Sequence, residues 1–99
     1  MAELDREKMK SVAGQLLTES AVHTQEGTVR VRKTSRHRLK TARFEMAGRE
    51  YEAIEQNPEK PSRWGKLAAD GHQVVQFRDV ETNKYVGVAV DGKVTVYGR

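Results

Sequence analysis

YVGVAVDGKVTVYG, residues 85–98, sets two β-branched runs on either side of Asp91-Gly92. Both central residues of a type I′ turn need positive φ, which Asp and Gly tolerate well, so the stretch reads as a two-residue β-hairpin. That loop pairs Val90 with Lys93, Val88 with Thr95 and Val86 with Tyr97, and leaves Ala89, Val94, Gly87 and Val96 on the opposite face. Both faces carry apolar groups, so at least one of these strands is expected inside a sheet. The preceding QVVQFRDV (73–80) reads as a further strand, joined to the hairpin through the polar turn ETNK (81–84). A three-stranded antiparallel meander over roughly 73–79, 84–90 and 93–97 follows.

A second hairpin is written in ARFEMAGREYEAIE (42–55). A turn at Ala47-Gly48 pairs Phe44 with Tyr51 and Ala42 with Ala53. A turn at Gly48-Arg49 pairs Met46 with Tyr51 and Phe44 with Ala53. Either register leaves Ala42, Phe44, Met46, Tyr51 and Ala53 on one face, a core face by alternation, with Arg43, Glu45, Glu50 and Glu52 toward solvent. A third hairpin, SAVHTQEGTVRVRKT (20–34), turns at Glu26-Gly27 and pairs Val22 with Val31 and Thr24 with Val29. Its reverse face sets His23 beside Arg30 and Ala21 beside Arg32.

Pro58 and Pro61 interrupt the strand pattern. Ser62 is a suitable N-cap for a two-turn helix with Trp64, Leu67 and Ala68 on one face, Trp64 and Leu67 plugging the core, and Gly71 as its stop. Gly65 weakens that helix. Near the N-terminus, Met9, Val12, Ala13, Leu16 and Leu17 follow helical spacing. They predict a helix over some of residues 4–17, and the alternative starts the first strand near Gln15 with residues 1–12 as a loose tail. The fold expected is α+β and mainly antiparallel β. It has six or seven short strands as hairpins plus the C-terminal meander, in a rolled sheet or small open barrel, with one or two short helices.

The chain of 99 residues is expected to be one domain, 1–99, with a modest core, since 36% of it is apolar and 32% charged. With no cysteine, disulfides and Cys-based metal sites are excluded. The charged N-terminus lacks the apolar segment of a secretory signal, and no run suits a membrane span, so a cytoplasmic protein is the expectation.

Charge is the strongest functional lead. Residues 30–43 hold seven Lys or Arg and no acid, whereas residues 1–29 are net −2 and residues 44–99 net −1. Arg30 and Arg32 are expected to point outward from a strand, with Arg36, Arg38 and Lys40 in the connecting loop after it. Hydroxyls of Thr34 and Ser35 and these cations suit phosphate contacts and a DNA or RNA partner. The run has no aromatic residue for base stacking, and Phe44, Tyr51 and Trp64 are expected to face the core, which leaves contact led by charge. The competing reading is a solvated loop answered by the acidic strand, with Arg43–Glu52 and Lys40–Glu55 as cross-strand partners. The domain would then be a protein-interaction or structural module, or the loop would meet an acidic protein surface.

Ser62, Arg63 and Lys66 at the start of the short helix form a weaker anion candidate, set against a plain capped helix. His23, His37 and His72 match no metal-ligand spacing. No nucleophile elbow, Walker loop or dinucleotide-binding glycine pattern is present, so no catalytic residue, metal or cofactor is assigned. A non-enzymatic binding module is the expectation, and neither strand order nor oligomeric state follows from these patterns.

Overall fold

Asp5 starts the first helix: its carboxylate accepts from the backbone N–H groups of Glu7 (3.0 Å) and Lys8 (3.2 Å). The resulting α1 runs over Arg6–Thr18. In the computed structural model, the backbone is described for residues 4–18, 23–24, 27–33 and 38–97, and the side chains for 4–16 and 39–97. The apolar stripe of α1 is buried at Met9, Val12, Ala13 and Leu16. It lies on one face of the sheet, against Ala42, Phe44, Met46, Tyr51, Ala53, Val75, Phe77 and Ala89. Phe44 is central, with Tyr51 tilted against it and Phe77 edge-on at a 6.0 Å centroid separation. Each large side chain so buried is worth roughly 1.5–3 kcal/mol, which explains why helix wins over a loose tail.

The strands are β1 (His23–Thr24), β2 (Gly27–Lys33), β3 (Arg38–Met46), β4 (Arg49–Glu55), β5 (Val74–Asp79), β6 (Lys84–Val90) and β7 (Lys93–Val96). Their order in the sheet is their order in the chain, and every neighbouring pair is antiparallel. Five of them, β3 to β7, form the open sheet that carries the core, and β2 and the short β1 continue it at one edge. The fold is thus α+β and mainly β, but as one continuous meander rather than separate hairpins plus a meander. It is also open rather than rolled into a barrel. With α1 covering one face, the sheet does not have to close on itself to bury that face.

Turn chemistry fixes two of the hairpins. Ala47 and Gly48 both have positive φ (55° and 76°), and the register is Phe44 with Tyr51 and Ala42 with Ala53. Asp91 and Gly92 (51° and 85°) close the last hairpin, with Val90 opposite Lys93 and Val88 opposite Thr95.

Three expectations are corrected. Thr24 pairs with Gly27, not Val29, so the β1–β2 register is offset by two from the expected one. A shift of two keeps every residue on its face, so alternation could not choose between them. Arg38 and Lys40 belong to β3, paired with Lys33 and Val31, not to a loop. Leu39, buried between them, is the apolar anchor of that strand end.

The third correction concerns β6. Phe77 pairs with Gly87, but Arg78 pairs with Tyr85, so Val86 is an extra residue in a β-bulge. Val86 consequently packs against the α1-side core instead of sharing a face with Val88. Without the bulge, Tyr85 would stand opposite Asp79, whose β4 partner Tyr51 belongs to the core. With it, Tyr85 joins Arg78 on the other face. Gly87 leaves room for both α1 and β7: a Cβ there would meet Met9 Cε at 2.8 Å and the Thr95 carbonyl oxygen at 2.9 Å.

Candidate functional site

The face of the sheet away from α1 is built by the alternate residues of the same strands. One row of paired positions crosses it: Arg30, Thr41, Ile54, Gln76, Val88 and Thr95, from β2 to β7. Near β5 lies α2 (Arg63–Ala69), capped by Ser62, whose hydroxyl accepts from the Gly65 N–H at 3.2 Å. Gly71, with φ +99°, follows the helix as its stop. Gly65 is required rather than merely tolerated, since a Cβ there would come within 2.0 Å of the Lys60 carbonyl oxygen.

Trp64 and Leu67 are half-buried and do not join the core cluster, contrary to the expectation of a core plug. Two turns of helix reach only the second face of the sheet. There Trp64 tilts against Tyr97 at 6.4 Å and carries the Arg63 guanidinium 4.9 Å from its ring centroid. Tyr85, 50% exposed, is the one large apolar side chain open to solvent among the described residues. Together with Gln56, Gln76 and the segment Lys60–Ser62, these rings line an open groove of about 550 Å³.

A hydrogen-bond chain forms part of the groove lining. The Gln56 amide N–H₂ donates to the Asn57 carbonyl (3.1 Å), Gln76 donates to the Gln56 side-chain oxygen (3.1 Å), and the Tyr97 hydroxyl donates to the Gln76 oxygen (2.8 Å). A backbone carbonyl can only accept, so Asn57 fixes the direction of the whole chain. Burial pushes the Tyr97 hydroxyl above its ordinary range, and it is neutral at physiological pH.

The acids of β4 are committed differently from the expected pairing. Glu52 lies opposite Arg43 but bonds the Arg78 guanidinium at 2.5 Å, a pair whose side chains are only 16% and 19% exposed. Arg78 also donates to the Asn83 side-chain oxygen at 2.6 Å. Arg43 reaches Glu50 loosely, at 3.9 Å between well-exposed groups, a contact of little energetic weight. Glu55 accepts from the Lys40 backbone N–H at 3.0 Å.

Of the expected phosphate-binding residues, Arg30 and Arg32 stand in β2 opposite Thr41 and Leu39, and Arg38 and Lys40 in β3. Arg36, with Thr34, Ser35 and His37, lies outside the described residues, as do the side chains of Arg30, Arg32 and Arg38. Ser62 is spent as a helix cap, and Arg63 is stacked on Trp64. His72 contacts Asp91 at 2.7 Å. Among the described residues no cluster of three metal-ligating side chains occurs, and no helix is long and apolar enough to cross a membrane.

The groove has no counterpart in the sequence patterns. Those patterns put Trp64 in the core and Tyr97 opposite Val86, and assign Tyr85 to no face. The Val86 bulge and the shortness of α2 are what bring them together. No family model, curated protein or solved structure matches the chain.

Proposed function

We propose that this domain is a small non-enzymatic module that binds single-stranded nucleic acid across the sheet face opposite α1. The observation that carries the reading is the coexistence, on one sheet, of a basic strand pair and an aromatic groove rimmed by Lys60 and Arg63. Charge alone suits any polyanion, whereas exposed rings beside cations suit a strand whose bases are unpaired. Arg30 and Arg32, which the register sets on this face, would take phosphates there together with Arg36. Arg38 and Lys40, whose positions alternate toward Ala42 on the α1 side, would reach phosphates from the end of β3, and the groove would take a base. From β2 to β5 is three strand spacings, about 14 Å, a short reach for one strand of nucleic acid.

Four or five phosphate contacts imply a log–log salt slope of about −3 to −4.5. Titrating single- and double-stranded DNA and RNA at two salt concentrations tests this. The single strands are expected to bind better and to show that slope. Absence of binding at low salt would overturn the reading, and so would an unchanged affinity in the doubly substituted Arg30→Glu, Arg32→Glu protein.

A further inference from the structure

The geometry points to the Trp64–Tyr85–Tyr97 groove as a seat for one unpaired adenine, recognised by the Tyr97 hydroxyl oxygen and the Gln76 amide. This deepens the single-strand reading above and rests on it for the source of the base. The direction of the hydrogen-bond chain is what makes the site selective. The Asn57 carbonyl forces Gln56 to present its oxygen to Gln76, and Gln76 then presents its own oxygen to Tyr97. The Tyr97 proton is therefore spent inward, and its oxygen can only accept from a ligand. Gln76 uses one amide N–H on Gln56 and retains a second.

An acceptor beside a donor is the pattern of a carboxamide edge. Adenine answers it with its N6 amino group and N7, the pairing that Asn and Gln side chains use when they read this base. On its N7 side guanine offers two acceptors, O6 and N7, and meets the pair only by turning its N1–H/O6 edge inward. Cytosine (N4–H₂ beside N3) and uracil or thymine (N3–H beside O4) can also answer it and are separated from adenine by their smaller stacking area. The half-exposed Tyr85 ring supplies a stacking face, and a purine covers more of it than a pyrimidine. A proline-rich peptide fits the rings but lacks the N–H groups that Tyr97 needs, since proline has none.

The test uses the intact chain and free nucleosides, so that it does not depend on the basic strand. Trp64 is the single tryptophan, and its fluorescence reports directly on the groove. Adenosine is expected to quench it and to shift the side-chain amide resonances of Gln56 and Gln76. Guanosine, and purine riboside, which lacks the amino group, are expected to bind about five-fold more weakly or worse. Tyr97→Phe keeps the ring against Trp64 and removes the acceptor, so it should erase the preference for adenosine over purine riboside. Tyr85→Ala should weaken all three nucleosides with an unchanged melting temperature. Equal binding of adenosine and purine riboside by the native protein would overturn the proposal, as would silence of these reporters at millimolar adenosine. A proline-rich peptide shifting the same resonances where adenosine does not would also overturn it. Salt-dependent oligonucleotide binding with Trp64 silent would leave the single-strand module standing and remove the adenine seat. Adenosine in the groove without salt-dependent oligonucleotide binding would support the seat and remove the role of the basic strand.

Discussion

The two faces of this sheet use the same strands for opposite ends. Toward α1, the apolar side chains of β3 to β7 interlock around Phe44 and Phe77. Toward α2, the strands present an ion pair (Glu52–Arg78), an amide–hydroxyl chain (Gln56, Gln76, Tyr97) and a half-exposed ring (Tyr85). A thirteen-residue helix covers the first face, and a seven-residue helix covers only part of the second. The first face is closed and holds the fold together. The second satisfies its polar groups among themselves and leaves its aromatic surfaces available, which is the condition for binding without loss of stability.

That contrast breaks most visibly at Phe77. Phe77→Ala removes a fully buried ring and its edge contact with Phe44, and should cost about 3–5 kcal/mol in denaturant unfolding. A loss below about 1 kcal/mol would mean that the α1 face is not the main core. Gly65→Ala probes the other face. Its Cβ would collide with the Lys60 carbonyl, so α2 must lift, at about 1–3 kcal/mol, with a change in Trp64 fluorescence. Gly14 is the opposite case, an exposed helical glycine where an added Cβ would meet nothing within 4 Å. Gly14→Ala should stabilise the protein by about 0.5–1 kcal/mol and leave the groove unaffected.

Asp79 is probed by pH. Burial alone would raise its carboxyl, but hydrogen bonds from the Thr82 N–H, the Arg49 guanidinium and the Glu81 N–H outweigh it and hold the carboxyl below its ordinary range. A depressed folded value means stability that is present above the unfolded carboxylate range and lost as pH falls through the folded value. Asp91 is lowered too, by the Gln73 N–H first and His72 second, and adds a loss of the same sign. Melting temperature should therefore drop on acidification below the ordinary Asp range, and Asp79→Asn should flatten that slope. An Asp79→Asn protein with an unaltered acid slope would place the acid lability elsewhere.

Much of the closed face is legible in the sequence alone. Ala47-Gly48 and Asp91-Gly92 announce positive φ, the strands around them alternate, and the α1 stripe repeats at helical spacing. The open face is less so, for identifiable reasons. A bulge adds one residue without a marker of its own, and Val86 looks like any strand valine, so the reversal of Tyr85 leaves no trace in the pattern. Trp64 sits on a regular amphipathic turn, and nothing in that spacing says the helix is too short to reach the core. Gly65 reads as a weak helix residue until Lys60 is seen against it. The basic run stands out by composition, yet Arg38 and Lys40 read as loop because only Leu39 among their neighbours is apolar. The acids of β4 pair by alternation with Arg43 and Lys40, whereas in the fold Arg78, far along the chain, takes Glu52.

The binding face is tested most directly by a backbone amide chemical-shift map during titration with a single-stranded adenine-rich oligonucleotide at low salt. Perturbations are expected along β2 and β3 and around Gln56, Trp64, Gln76, Tyr85 and Tyr97, with α1 unaffected. Perturbations concentrated on α1, or none anywhere, would contradict a binding face opposite that helix.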